Sequence, residues 1–395
     1  MDDGAEITLG IGGTGGVYFL ASPGKLIVDV EKRDRHVRRR RTDLRAILFG
    51  PDRQVLQEVT IPDDGRPPGS GAGPARRVRL SADVARKGVY GLNITVSQDR
   101  YGQEIIWGFR TNCPHYLIET SRGHKDERHM EPIVLLRPDR EGDVCFLPRQ
   151  GAFAVEVTGL PRSGDPLSMY DAKGELIETL KVTAEGKASH KFPAGVHRDA
   201  TPWRLHLPVH QATVHIDGVT RWERDDPWAD FCYWTPDPRS FFAFHAHRWL
   251  LTPYSRTVYG QPGQELEIPF HVHNNALRSK TVELALEFPA GAEWPGRVSA
   301  ARVEVGARRS AEVFLNVTVP AEGSTHVCHL RATPADAPDF STYSTLVVKR
   351  GVAPATAKLD MPIVLKPYRH ENEQFGHLPD YPVYSQVYFD MENRP

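Results

Sequence analysis

The chain has 395 residues, with 49 Lys and Arg against 50 Asp and Glu and a net charge of −1. That balance argues against a general nucleic-acid binder, which carries a basic excess, and the length suggests two to four domains. No apolar run reaches the roughly 18 residues of a membrane span, and 33 Gly and 32 Pro, spread along the chain, read as turns.

The chain opens on acidic residues, Met1 to Glu6, without the basic and apolar regions of a signal peptide. Gly10 to Gly16 satisfies G-x-G-x-x-G, but a strand, Val17 to Leu20, follows it. A dinucleotide site needs a helix there, so the segment reads as a flexible lead-in. Strand signals then dominate: Leu26 to Val30, Ala46 to Phe49, Leu92 to Val96, Phe153 to Val157, Leu266 to Val272, Val282 to Phe288 and Val313 to Val319. The best helical stretch is Ser81 to Gly88, one or two turns at most. Between two early strands lies the basic run Arg35 to Arg41. Its Arg38, Arg39, Arg40 and Arg41 suit a polyanion such as a sulfated or uronic-acid polysaccharide. The plainer reading is a solvated hairpin flanked by Asp34 and Asp43.

An internal repeat organises the first half. Gly16 to Leu20, Gly24 and Leu26 to Val30 recur 127 residues later as Gly142 to Leu147, Gly151 and Phe153 to Val157. Each opening is followed by a strand, a turn and a strand: Leu44 to Phe49, Gly50 to Arg53 and Val55 to Val59, then Leu167 to Tyr170, Asp171 to Gly174 and Leu176 to Leu180. The copies close on Glu104 to Phe109 and Ala212 to Ile216. The expected architecture is all-β: sandwiches over 1–125 and 126–220, an aromatic linker over 221–254, a third sandwich over 255–350, and an extended Pro- and Tyr-rich tail over 351–395. That tail reads as packing on a missing domain or a neighbouring subunit.

The repeated Tyr18-Phe19-Leu20 opening, Gly24, the Asp-turn hairpin and Gly88-Val89-Tyr90 resemble the jelly-roll-like pre-peptidase C-terminal domains of bacteria. Pro262-Gly263, Phe270 to Asn274 and Val313 to Pro320 resemble the Ig-like domains appended to bacterial glycosidases. The first resemblance implies secreted, non-catalytic attachments on larger enzymes.

Three further features carry chemistry. In the connector, Trp222, Trp228, Trp234 and Trp249 are four of seven tryptophans, joined by Tyr233 and interleaved with Asp225 and Asp226. Rings beside carboxylates suit sugar recognition; the plainer reading is an interdomain core. His271 and His273 share a strand face with Glu267, a two-His-one-carboxylate set for a divalent metal. His245-Ala246-His247 is a second pair. Cys113, Cys145, Cys232 and Cys328 form no CxxC pair, which excludes a zinc knuckle or thioredoxin site. No G-x-S-x-G or H-E-x-x-H motif occurs, so no catalytic residue is assigned.

The expected function is a non-catalytic, extracytoplasmic accessory or scaffold module of a bacterial carbohydrate-active or cell-surface system, with polysaccharide as partner and no cofactor beyond that divalent metal. The alternatives are a glycoside hydrolase or polysaccharide lyase acting at the connector, and a structural subunit of an assembly.

Overall fold

The computed structural model describes residues 6–99, 102–119, 132–136, 141–162, 164–196, 201–220, 233–242, 250–274, 278–289, 292–307 and 309–353. The chain is all-β. The first copy runs β1 (Gly15–Ala21), β2 (Gly24–Asp34), β3 (Leu44–Phe49), β4 (Val55–Ile61), β5 (Arg76–Val84), β6 (Gly88–Val96), β7 (Ile105–Thr111) and β8 (Tyr116–Glu119). After β9 (Ile133–Leu135), the second copy runs β10 (Gly142–Phe146), β11 (Phe153–Thr158), β12 (Leu167–Tyr170), β13 (Leu176–Leu180), β14 (Ala188–Phe192), β15 (Trp203–Leu207), β16 (Ala212–Ile216) and β17 (Tyr233–Thr235).

The duplication is complete in topology. One ten-stranded sheet has the order β13-β12-β15-β10-β17-β8-β1-β6-β3-β4, which is palindromic about the β17–β8 pair. Equivalent strands thus meet antiparallel at the seam, Trp234 opposite Ile118. The facing layers, β5-β2-β7 and β14-β11-β16-β9, repeat the same order. Register repeats too: Val17 faces Leu92 as Val144 faces Leu205. Both hairpins carry a bulge at the same place, between Leu48 and Phe49 and between Met169 and Tyr170.

Period-2 alternation produces this arrangement. In β2, Leu26, Val28 and Val30 point inward and are at most 2% exposed. They join one apolar core that continues through Phe146, Val155 and Trp234 of the second copy. The sandwiches are therefore fused side by side, and part of the expected linker supplies a strand at their seam. The glycine-rich lead-in is packed as well. Ile11 exchanges backbone hydrogen bonds with Trp107 and bridges to Leu135, while the Trp107 Nε1 donates to the Gly13 carbonyl at 2.8 Å. A Cβ on Gly15 would collide with the Trp107 ring. No helix forms over 81–88: those residues end β5, turn, and begin β6, because Leu80, Ala82 and Val84 are needed inward at strand spacing.

The third sandwich runs β18 (Leu251–Thr252), β19 (Ser255–Gly260), β20 (Glu265–His273), β21 (Lys280–Glu287), β22 (Gly296–Val298), β23 (Arg302–Val305), β24 (Ser310–Thr318), β25 (Thr325–Pro334) and β26 (Thr342–Arg350). Sheets β18-β20-β24-β22 and β19-β26-β25-β21-β23 enclose a separate core in which Ile268, Phe270 and Val272 point inward, as the alternation requires. This Ig-like unit docks on the outer face of the ten-stranded sheet at its seam. There Leu20, Val89, Leu117, Tyr233 and Phe242 form an apolar patch, and Phe242 stacks on Phe340 at 6.1 Å. Arg86 pairs bidentately with Glu287 at 3.0 and 2.6 Å, and Lys87 pairs with Asp339.

Candidate functional site

Three connections meet at one end of the first sandwich: residues 35–43, residues 62–75, and the described residues 97–99 and 102–104. They enclose a cavity of about 470 Å³ lined by Arg38, Arg39, Arg40, Arg41 and Arg66, with Asp34, His36, Thr42, Asp63 and Glu104. The basic run picked out in the sequence is thus the rim of a cavity, not an isolated hairpin.

The floor is built by β2, which continues its inward phase past Val30 with Lys32 and Asp34. Lys32 is 0% exposed. Its ammonium donates to the Pro62 carbonyl at 2.9 Å and pairs with Asp34 Oδ1 at 2.8 Å. Burial pushes its pKa down, opposed by Asp34. Asp34 also accepts from the Thr42 hydroxyl at 2.5 Å and from Arg76. The Thr42 hydroxyl is within 2.7 Å of Asp63, and the Thr42 amide donates to the same carboxylate at 3.0 Å. Burial would raise the Asp63 carboxyl, but these bonds, the Gly65 amide and the Lys32 charge hold it below the usual range.

His36 joins two of the walls. Its two ring nitrogens lie 2.5 Å from the Gly71 carbonyl and 2.7 Å from Asp64 Oδ1, so the doubly protonated ring satisfies both acceptors. Burial lowers its pKa, but the Gly71 and Asp64 bonds outweigh that and raise it. Burial likewise raises the Asp64 carboxyl, while His36 and the Arg66 amide bring it down.

Glu104 forms the third wall. Asp99 accepts from the amides of Gln103, Glu104 and Ile105 and so fixes its backbone. The Glu104 side chain takes the Arg38 amide on Oε2 at 2.8 Å, whereas its Oε1 is enclosed and has no hydrogen-bond partner among the described residues. Glu104 is only 1% exposed. Around the cavity, the Arg40 guanidinium donates to the Gln98 carbonyl and that of Arg41 pairs with Asp43. The exposed guanidinium groups of Arg38, Arg39 and Arg66 carry no hydrogen bond or ion pair among the described residues. Lys32, His36, Asp63, Asp64 and Glu104 escaped the sequence reading. The available signal was two charged residues on the inward phase of β2.

The other expected sites fare differently. Tyr233 and Trp234 are 3% and 1% exposed and pack at the seam, so neither offers a ring face to a sugar. Trp222, Asp225, Asp226, Trp228 and Trp249, like His245 and His247 and nearly all of the 351–395 tail, lie outside the described residues. His271 and His273 share a face, with ring centroids 6.3 Å apart. However, His273 Nε2 bonds the Thr252 hydroxyl at 2.6 Å. No group of three metal-ligating side chains, Glu267 included, assembles among the described residues. Cys113, Cys145 and Cys328 are free, buried thiols. Burial pushes Cys145 and Cys328 up to about 12, the opposite of a reactive cysteine. A smaller seam cleft of about 240 Å³ includes Arg110 and Asp143 in its lining. Both are already committed, Asp143 to Arg204 and His206 and Arg110 to Asp29.

No family model matches this chain, and no curated protein matches it. Among solved structures, a quarter of the chain is similar to the Pseudomonas aeruginosa CupB2 chaperone (9% identity, 25% of this chain and 54% of that one, TM-score 0.22). It is also similar to the E. coli chaperone DraB (12%, 25% and 54%, TM-score 0.21) and to WR4, a C. elegans MSP family member (10%, 25% and 94%, TM-score 0.19). The chain spans about half the length of the two chaperones. At these scores the likeness carries no functional argument.

Proposed function

We propose that the chain is a non-catalytic accessory module that holds an acidic polysaccharide at the cavity of its first sandwich, in the extracytoplasmic setting expected from its architecture. The observation that carries this is three guanidinium groups around one cavity, those of Arg38, Arg39 and Arg66, without an ion pair or hydrogen bond among the described residues. Guanidinium forks match carboxylate and sulfate oxygens bidentately.

The test is calorimetric titration with polygalacturonate, chondroitin sulfate and neutral xyloglucan, with reducing ends and unsaturated products assayed in the same samples. The expected result is saturable binding of the acidic polymers, weakened by salt, without products. Replacing Arg38, Arg39 and Arg66 together by Ala should weaken it at least about a hundredfold. Binding that survives this triple variant, or new products, overturns the reading.

A further inference from the structure

We infer that the cavity recognises a hydroxyl-bearing anionic sugar unit rather than negative charge alone, with Glu104 as the residue that tells the two apart. The inference rests on the binding reading above and adds ligand class to it. An arginine rim by itself would take any polyanion. A buried carboxylate among those arginines works against a bare anion, because it repels the ligand's charge and offers it no donor. Asp34 and Asp63 also line the cavity, but their oxygens are occupied by Lys32, Thr42, Arg76 and backbone amides. Glu104 differs. Its Oε2 is used by the Arg38 amide, while its Oε1 is left without a donor at 1% exposure. A buried carboxylate oxygen in that state is costly, and the group that satisfies it must be a donor. A sugar hydroxyl beside an acid group supplies both parts, the acid to Arg38, Arg39 and Arg66 and the O–H to Glu104 Oε1. Uronates and sulfated sugars share this chemistry; polygalacturonate carries only carboxylates and carrageenan only sulfates, so these two polymers separate the sources.

The test compares polygalacturonate with polyacrylate, which carries carboxylates but no hydroxyls, on the whole chain and on Glu104→Gln. Wild type should bind polygalacturonate at least about tenfold more tightly than polyacrylate at equal carboxylate concentration, the size of one charged hydrogen bond. In Glu104→Gln the amide oxygen keeps the Arg38 bond and the NH₂ takes the Oε1 position, where it can no longer accept a sugar O–H. Polygalacturonate binding should then fall about tenfold or more, with polyacrylate binding unchanged or tighter. A thermal melt close to wild type confirms that the fold is kept. Equal affinity of wild type for the two polymers overturns the inference whatever the variant does. If polyacrylate and polygalacturonate bind equally but the triple arginine variant abolishes both, this inference falls and the binding reading stands. If neither polymer nor chondroitin sulfate binds, both fall.

Discussion

The two fused copies have the same strand order, the same register and the same hairpin bulge, yet they end differently. In the first, β2 carries two charged residues inward past its apolar stretch, and the connections 35–43 and 62–75 hold a polar cavity open above them. In the second, the equivalent strand β11 stops at Thr158. Just beyond it, the Leu160 amide donates to the Gly186 carbonyl at 3.1 Å, joining the stretch after β11 to the turn before β14. The apolar face fixes the frame in both copies. What one copy can bind is decided by the few residues beyond that face, where loops are free to lengthen.

The largest effect should come from the part the copies share. Replacing Trp234 by Ala removes a fully buried ring where the halves meet and should cost about 4 kcal/mol in urea unfolding. Trp234→Phe should cost less and leave polygalacturonate affinity unchanged. A selective loss of affinity in Trp234→Phe would restore the tryptophan as a ligand platform and erase the distinction between seam and site. Next is Lys32→Met, which leaves the Pro62 carbonyl without its donor and Asp34 short of one cation. It should destabilise by about 3 kcal/mol. A cost below about 1 kcal/mol would mean that the polar floor is tolerated, not structural. As a control, Lys181→Ala with Lys187→Ala at the same end of the second copy should change neither stability nor binding.

Much of this frame was legible in the sequence, because an inward-facing strand must repeat its apolar residues every second position. Val17, Phe19, Leu26, Val28 and Val30 announce β1 and β2, and their echo at Val144, Phe146, Phe153, Val155 and Val157 announces the duplication. The fusion was not legible. Tyr233, Trp234 and Thr235 show that only three residues make the closing strand, too few to carry a period. The arginine rim was visible as composition, but the cavity was not. Its walls come from His36, Asp63 and Glu104, far apart along the chain and gathered only by folding. The aromatic connector misled through Tyr233 and Trp234 because a ring that stacks on sugar and one that fills a seam look alike in sequence.

A smaller effect should appear with pH. His36 is held by Asp64 and the Gly71 carbonyl, with the Asp34 charge also favouring its protonated form, and its folded pKa is raised. A raised folded pKa means that its contribution to stability is complete below the unfolded value, about 6.5, and is lost as pH rises through the folded value. Stability should therefore decline as pH rises above about 6.5 and through the folded value. His36→Asn should flatten that slope while leaving the second copy's hairpins untouched. A slope that persists in the variant would assign the proton to another group.

The smallest effect tests the point where the copies are most nearly alike. The bulged hairpin turns place Arg53 and Gly174 at equivalent positions, with φ of +65° and +84°. The left-handed conformation costs glycine nothing but strains a residue with a Cβ. Gly174→Ala should thus destabilise by about 1 kcal/mol. Arg53 already bears that strain, and what offsets it lies outside the copy: its guanidinium sits 3.7 Å from the centroid of the Tyr254 ring, at the face of the third sandwich. Such a contact is worth about 0.5–1 kcal/mol, so Arg53→Gly should come out near neutral, its conformational relief cancelling the lost contact. In a Tyr254→Leu background the ring contact is gone while the Arg53 guanidinium still donates to the Thr342 hydroxyl at 3.4 Å, so the same Arg53→Gly change should be more favourable there by about 0.5–1 kcal/mol. Equal effects in the two backgrounds would show that the arginine is not kept there by its neighbour.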